Sequence, residues 1–228
     1  MVSVPFISSL EQFVFPQHCN NCSVTLNEDE YLYCHICRVK KIQLTKMGNW
    51  VQNLEVHDYL DFAYSLYWFD EVLQAYVHQL KYSGWHHFLP NLIQPASVDC
   101  ILPPISQMAA MVIPLHKVKQ RDRGFNQAEL IADQIAPQWN LPVVKNKLHR
   151  IKYTSTQTQL NIDQRQKNME MAFETKPALP EAVLLVDDVL TTGSTANACA
   201  KVLRDNGCRW IGIFTLGTPK LKNKCSVN

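Results

Sequence analysis

The chain has 228 residues, of which 46% are hydrophobic and 18% are charged, and its formal net charge at pH 7 is +2. This balance is that of an ordinary globular protein, and the length allows one large or two modest domains. The weak positive charge does not by itself indicate a nucleic-acid partner. No apolar run approaches a membrane span, and no basic leader precedes the first apolar stretch, so we expect a cytoplasmic protein without a secretory signal.

The N-terminal region carries two CxxC pairs, which together contain four of the eight cysteines. These cysteines are Cys19, Cys22, Cys34 and Cys37. Two such pairs can surround one tetrahedral ion with four thiolates, which predicts a structural zinc site. The segment between the pairs is expected to form a short hairpin, with YLY at 31–33 as one strand. Two redox-active pairs are the alternative interpretation, and His18 and His35 are alternative ligands.

We interpret residues 1–45 as a zinc-ribbon-like cap, because a segment of roughly forty residues buries too little surface to fold without its metal. Residues 38–58 show no clean periodicity and are expected to link this cap to the main body over residues 46–228. The body begins with an aromatic, strand-like segment at 63–69. Apolar residues then recur at helical spacing, which predicts a helix from Asp70 to Gly84.

The middle of the chain alternates between strand-like and helical segments. A strand is predicted at 111–116, followed by a basic turn, KVKQRDRG, at 117–124. A helix follows, in which Asn126 and Glu129 form a capping-box pattern. A second strand region is predicted at 141–149.

The last three elements complete this alternation. Residues 182–186 (AVLLV) are short and fully apolar, as expected of a buried parallel strand. Residues 195–207 form a predicted helix that ends at Gly207, and residues 209–216 form a predicted strand. The order of elements predicts an α/β fold with a parallel sheet and right-handed crossovers.

One segment, at 151–176, does not fit this alternation. It is rich in Thr, Gln and Asn and poor in apolar residues, yet it lies between two predicted core strands. We predict a mobile lid, with a disordered insert as the alternative, because long loops inside compact domains commonly serve binding sites.

The most informative motif is LLVDDVLTTGST at 184–195. Ligands of open α/β sheets bind at the carboxyl ends of strands, and a loop that enters a helix presents backbone N–H groups to a phosphate. Gly193 allows the backbone to approach such an anion closely. Hydroxyl donors are supplied by Thr191, Thr192, Ser194 and Thr195.

The adjacent acids Asp187 and Asp188 predict the other half of the ligand. Carboxylates do not face the same phosphate, so we expect them to accept hydrogen bonds from vicinal sugar hydroxyls. Phosphate at one end and a diol at the other describe a ribose 5-phosphate. Their mutual repulsion is expected to be offset by the hydroxyl donors and by a nearby Mg²⁺. A solvated strand-to-helix turn is the alternative interpretation.

The same stretch, VLLVDDVLTTGST, resembles the phosphoribosyl-pyrophosphate (PRPP) motif of type I phosphoribosyltransferases. Four further features resemble the ComF family, which is associated with competence and DNA uptake in bacteria. They are the four-cysteine module, LKYSG at 80–84, PLHKVKQRDRGFNQAELIA at 114–132 and the pattern HR…TQTQLN…R…N…F over 149–173.

This resemblance implies a type I phosphoribosyltransferase fold and a role for each part of the site. Asp187 and Asp188 would hold the ribose 2- and 3-hydroxyls, and Thr191–Thr195 would hold the 5-phosphate. A diphosphate loop, assisted by Mg²⁺, would include Arg121, Arg123 and Gly124. The lid would carry Arg165 as its catalytic charge. Solvation of a basic surface is the alternative role for these arginines.

Two functions are compatible with this resemblance. In the first, the protein acts in DNA uptake, and its cap and basic stretches contact single-stranded DNA or the import machinery. In the second, it is an active phosphoribosyltransferase of nucleotide salvage. Because the sequence contains no recognisable nucleobase pocket, PRPP binding is better supported than turnover.

Overall fold

The structure is a computed structural model, and it describes residues 17–82, 86–96, 100, 102, 105, 107–151 and 172–220. Its helices are α1 (His35–Lys41), α2 (Glu71–Tyr82), α3 (Leu89–Ile93), α4 (Lys117–Arg123), α5 (Gln127–Ile135) and α6 (Ser194–Asp205). Its strands are β1 (Phe62–Trp68), β2 (Met108–Val112), β3 (Val143–Val144), β4 (Leu148–Arg150), β5 (Phe173–Thr175), β6 (Ala182–Val189) and β7 (Trp210–Thr218). Short 3₁₀ helices lie at Val51–Asn53 and Ala136–Trp139.

The described strands form a parallel sheet of five in the order β1-β7-β6-β2-β3, which confirms the predicted α/β class. A separate two-stranded sheet pairs β4 and β5 antiparallel. Strand β6 lies at the centre, and its residues Val183–Val186 are completely buried. This explains the uninterrupted apolar run, because a central parallel strand is covered on both faces.

Two apolar cores cover the two faces of β6. Leu184 and Val186 pack in one core with α2 and α5, and Val183 and Leu185 pack in the other with α6. The division follows from the two-residue period of a strand, which sends successive side chains to opposite faces.

Helix α2 confirms the predicted helix and its start. Its apolar residues Leu73, Tyr76, Val77 and Leu80 are buried, and Asp70 Oδ1 accepts a hydrogen bond from the Leu73 N–H at 2.9 Å. Gly84, the predicted end, lies outside the described residues. Within the part of the chain that the structure describes, no helix is long and apolar enough to cross a bilayer.

The predicted basic turn at 117–124 is wrong, because these residues form helix α4. The His116 side chain accepts a hydrogen bond from the Val118 N–H at the start, and Gly124, at φ +79°, ends the helix. No residue of α4 is buried. A fully exposed helix has no apolar periodicity, so the pattern on which the prediction depended was missing.

The second strand region and the predicted lid also need correction. Residues 141–149 contain two strands in different sheets, and Asn146, at φ +59°, lies in the turn between them. The predicted lid at 151–176 includes strand β5, whose Phe173 is buried. Such short strands are stabilised by pairing with residues distant in sequence, which local patterns do not reveal. Residues 152–171 lie outside the described part of the chain.

The cap and its linker differ from expectation in two details. YLY is a tight turn instead of a strand, since Tyr31 and Tyr33 bridge to each other around Leu32 at φ +58°. The linker begins within α1, and its Leu44 bridges antiparallel to Tyr67 along the edge strand β1. This pairing protects an edge that would otherwise be open. The domain boundary at residue 45 stays a prediction.

Candidate functional site

The two acids lie at the carboxyl end of the central strand. Strand β6 continues through both of them to Val189, and Asp187 is in register with Thr215 of β7. By the two-residue period, Asp188 follows Leu184 and Val186 toward α2, whereas Asp187 follows Val183 and Leu185 toward α6. The two side chains therefore leave the strand toward different helices, although their carboxyl groups still interact with each other.

Asp188 forms an ion pair with Lys81, from the last turn of α2. The Lys81 Nζ lies 2.5 Å from Asp188 Oδ2, and the Asp188 side chain is only 8% exposed. The Val189 N–H donates to Asp188 Oδ1 at 2.9 Å. A carboxylate has about four lone-pair sites. Asp188 therefore keeps acceptor capacity for a ligand while its charge is compensated.

Asp187 has a different environment. Its Oδ1 accepts a hydrogen bond from the Asp188 N–H at 2.8 Å. Burial and the neighbouring charge of Asp188 raise the pKa of Asp187 well above its ordinary value, although Lys81 opposes the shift. Among the described residues, Cys199 of α6 and Arg150 of β4 also interact electrostatically with it. Burial, followed by the charge of Asp187, raises the pKa of the Cys199 thiol. Burial lowers the pKa of Arg150, although Cys199 and Asp187 oppose this shift.

The loop after β6 is held tightly where it enters helix α6. The Leu190 N–H donates to the Gly217 carbonyl at 2.9 Å, and the Val56 N–H donates to the Thr192 carbonyl at 3.0 Å. Gly193 has φ +89°, and a Cβ atom on it would clash with the Val56 carbonyl oxygen. Glycine is therefore required here by its backbone conformation and by the close approach of residue 56.

The N-terminus of α6 has the features of an anion site. Gly193 has no side chain to cap the helix, and although the Ser194 N–H donates to Thr192 Oγ1 at 3.4 Å, other N–H groups of the first turn keep donor capacity. The Thr192 and Ser194 hydroxyl oxygens lie 2.9 Å apart at this end. Thr191 is exposed, and Thr195 is half-buried in the first turn. The residues that were predicted to bind the 5-phosphate thus surround one helix terminus, within eight residues of the acid pair.

The residues that were predicted to bind the diphosphate lie in different environments. The Arg123 guanidinium lies 5.4 Å from the centre of the Tyr82 ring, and Arg123 Nη1 donates to Gln127 Oε1 at 3.1 Å. Tyr82 directly follows Lys81, so Arg123 lies on the same side of the sheet as the Lys81–Asp188 pair. The Arg121 side chain is 81% exposed. Gly124 ends α4 and separates it from the cap of α5.

Helix α5 begins beside the carboxyl ends of the strands. Asn126 Oδ1 accepts a hydrogen bond from the Ala128 N–H at 3.1 Å, which confirms the predicted cap. The Asn126 Nδ2 donates to the carbonyl of Ile113, just after β2, at 3.0 Å. This buried amide fixes the position of α5 relative to the carboxyl end of β2. Arg165, the predicted lid residue, lies outside the described part of the chain.

The four N-terminal cysteines meet as predicted. Their Sγ atoms all lie within 4.8 Å of one another, and three of the four residues are buried. The Cys22 and Cys34 Sγ atoms are 3.7 Å apart, close to the roughly 3.8 Å edge of a tetrahedron with Zn–S bonds of 2.3 Å. The cluster therefore fits a metal such as zinc. Neither His18 nor His35 belongs to it, and His35 Nδ1 instead lies 3.0 Å from the Arg38 guanidinium.

The backbone around Cys19 favours a thiolate, whereas at Cys22 a backbone hydrogen bond that lowers the pKa is outweighed by hydrogen bonds with the neighbouring cysteine side chains, which raise the pKa to about 12. Burial acts to raise the pKa of Cys19, but hydrogen bonds from the backbone of Cys34, Asn21 and Cys22 outweigh it and lower the pKa to about 6. The Asn21 Nδ2 also donates to Cys37 Sγ at 3.3 Å. Metal ligation by cysteine requires deprotonated sulfur, so this environment favours binding.

The sequence did not predict three contributors to the site at the carboxyl end of the sheet. Lys81 belongs to LKYSG, which carried the family resemblance, but its role depends on the contact between α2 and β6. Arg150 belongs to the pattern over 149–173 and contributes to the environment of Asp187 from β4. Val56 comes from the linker and contacts the loop only through its backbone. A backbone contact leaves no signal in the side-chain pattern.

Comparisons with known proteins identify relatives in bacterial DNA handling. The chain is 38% identical to Competence protein F of Haemophilus influenzae over 112 residues, which cover 47% of this chain and 49% of that protein. It is 28% identical to the DNA utilization protein YhgH of Salmonella typhimurium over 150 residues, which cover 63% and 66%. It is 23% identical to Competence protein ComFC of Streptococcus pneumoniae over 154 residues, which cover 67% and 66%. These matches thus span about half to two thirds of each relative. No family model matches the chain.

The first prediction concerns the cysteine cluster. Cys22→Ser is expected to lower bound zinc from about one ion per chain to nearly none, because a tetrahedral structural site needs all four thiolates. Metal analysis of the purified protein measures this content. Cys208→Ser is the matched control, since Cys208 is buried outside the cluster and its Sγ donates to the Pro180 carbonyl. Equal zinc in both variants would contradict the assignment.

The second prediction concerns Gly193. Gly193→Ala is compared with Gly207→Ala, because Gly207 has φ +99° but a methyl group added to it would meet nothing within 4 Å. The control substitution is expected to cost about 1–2 kcal/mol for its left-handed backbone. Gly193→Ala is expected to cost roughly 2 kcal/mol more, because the methyl group meets the Val56 carbonyl. Denaturant unfolding measures both, and equal costs would refute the close approach.

The third prediction concerns the pH dependence of stability. Because the pKa of Asp187 is raised, the native state binds this proton more tightly than the unfolded state. Stability should therefore fall as pH rises from the ordinary carboxyl range through the raised pKa. Asp187→Asn is expected to remove this fall and to raise the melting temperature at neutral pH. The exposed Asp58→Asn is the control, and parallel melting curves for the wild type and Asp187→Asn would contradict the assignment.

Proposed function

We infer from these relatives that the chain is a ComF-family protein, and we propose that the carboxyl edge of its sheet binds PRPP or a related ribose 5-phosphate. The observation that carries this proposal is the short separation between an acid pair and an uncapped helix N-terminus on one loop. Asp187 and Asp188 would accept hydrogen bonds from the ribose 2- and 3-hydroxyls. The first turn of α6 would bind the 5-phosphate.

The proposed site for the 5-phosphate consists of backbone N–H donors and side-chain hydroxyl groups. The N–H groups from Gly193 to Thr195 lie at the positive end of the α6 dipole, where an anion is stabilised. Thr191, Thr192 and Ser194 add hydroxyl donors. The contact between Gly193 and Val56 holds this loop in place before a ligand arrives, which lowers the entropic cost of binding.

The diphosphate of PRPP would lie on the side of the acid pair that faces α2 and α4. Arg123 is held there by Tyr82 and Gln127, and a guanidinium matches phosphate oxygens in a bidentate geometry. Arg121 and Gly124 are assigned to the same subsite by the family resemblance. Mg²⁺ would arrive with the diphosphate and neutralise part of its charge. The ion is assigned to the diphosphate and not to Asp188, because Lys81 already compensates the charge of Asp188.

For the biological role, we propose action in DNA uptake during natural transformation, on the cytoplasmic side of the membrane. The names of three relatives support this role: a competence protein F, a ComFC competence protein and a DNA utilization protein. The exposed helix α4 carries Lys117, Lys119 and Arg121, which are suited to contacts with DNA phosphates. Binding to a single-stranded oligonucleotide that weakens as salt is raised would support direct contact, and no salt-sensitive binding would count against it.

The second candidate is an active phosphoribosyltransferase of nucleotide salvage, which the PRPP-type motif favours. Loss of pyrophosphate from C1 would pass through a cation-like transition state, stabilised by the surrounding charges. Arg165 is then the catalytic lid residue by resemblance. Pyrophosphate release from PRPP over a panel of bases and amines tests this function. A silent panel together with confirmed PRPP binding would favour the binding role.

The fourth prediction tests the shared site directly. Asp187→Asn combined with Asp188→Asn is expected to abolish the thermal stabilisation of the protein by PRPP and Mg²⁺, because both diol acceptors lose their charge. The fold should persist, because asparagine has nearly the size and shape of aspartate and both positions lie at the end of the strand. Asp205→Asn, at the far end of α6, is the control. Full ligand stabilisation in the double variant would remove the acid pair from the site.

A further inference from the structure

The ion pair between Lys81 and Asp188 joins a helix to the acid pair of the candidate site. Its N–O distance of 2.5 Å is the shortest of the ion pairs in the described residues, and its carboxylate is the most buried of the acids that form them. Removing one partner of a buried pair leaves the other charge uncompensated, which is strongly unfavourable. An ion pair of this kind affects its surroundings more than an exposed one does.

Lys81 has little freedom to leave this position. It is in the last turn of α2, whose side chains Leu73, Tyr76, Val77 and Leu80 are all buried. The next residue, Tyr82, lies beneath the guanidinium of Arg123. The helix therefore delivers the ammonium group to Asp188 from a fixed backbone.

One oxygen of Asp188 keeps acceptor capacity beside the ion pair. Lys81 binds Oδ2, which is inaccessible to solvent, and the Val189 N–H binds Oδ1, which keeps one lone-pair site. Among the described residues, Arg150 and Cys199 also interact with the acid pair, and they act on Asp187. Among the described residues, Lys81 is the cation that contacts Asp188.

We propose that Lys81 is a positioning residue of this site, which holds the Asp188 carboxylate in the orientation in which Oδ1 accepts a hydroxyl group of the ligand. This inference rests on the proposed function, since it assigns a role within the same site. Lys81 then acts through Asp188, not by direct contact with the sugar. Without the ammonium group, Oδ2 loses its ion-pair partner, and the carboxylate can turn away from the ligand.

The test uses ribose 5-phosphate, because this probe lacks the diphosphate that a lysine could also contact directly. Lys81→Met in the full chain is expected to weaken binding about tenfold by calorimetry at neutral pH. Lys81→Arg keeps the charge and is expected to restore most of the affinity. Lys201→Met is the matched control, because it also removes a lysine from an ion pair, 2.8 Å from Asp205, two turns from the site. Lys81→Gln is a second neutral variant if Lys81→Met folds poorly.

A double-mutant cycle shows whether Lys81 acts through Asp188. In an Asp188→Asn background, Lys81→Met is expected to cause no further loss of affinity. An equal loss in both backgrounds would overturn the proposal, because Lys81 would then contact the ligand itself. Unchanged or tighter binding by Lys81→Met would also overturn it, while the proposed function would stand. A wild-type chain that binds neither ribose 5-phosphate nor PRPP would instead refute the proposed function.

Discussion

The central position of β6 is the constraint on which the candidate site depends. A strand that is buried on both faces has no solvent-facing side, so each polar residue at its end must enter one of two crowded environments. Asp188 enters the environment of α2 and meets a lysine there. Asp187 enters the environment of α6 and β4, where burial opposes its charge. The alternation of side chains along the strand thus gives the two adjacent aspartates different neighbours.

This difference changes the explanation of the acidic pair that the sequence suggested. From the sequence, we expect a ligand and a metal ion to offset the repulsion between the neighbouring carboxylates. The structure supplies part of that compensation internally, through the ion pair of Asp188 with Lys81. What remains is the unfavourable burial of Asp187, which protonation relieves. Sites that bind ligands commonly retain such unfavourable groups at a cost in stability.

The sequence was most informative where a pattern is local and periodic. The apolar run before Asp187, the buried positions of α2 and the cap residue Asn126 each have a signal within a few residues, and the structure bears them out. The two CxxC pairs likewise fixed which thiols meet. It failed where the determinant is distant or lies in the backbone. Helix α4 buries nothing, β5 depends on pairing with β4, and the contact of Val56 with Gly193 involves a carbonyl oxygen.

Helix α2 links the cysteine cap to the acid pair. The Tyr31 ring, between the two CxxC pairs, stacks on Phe88 at 5.6 Å and packs edge-on against Tyr76 at 5.7 Å. The Tyr76 hydroxyl donates to the Tyr31 carbonyl, and the Tyr31 hydroxyl donates to Gln79 at 3.1 Å. Two turns of α2 therefore contact the cap, and the next residues on the same helix deliver Lys81 to Asp188. Because a helix moves as a rigid unit over such a short span, a metal bound by the cysteine cluster would also help to fix the position of the ammonium group at the carboxyl end of the sheet.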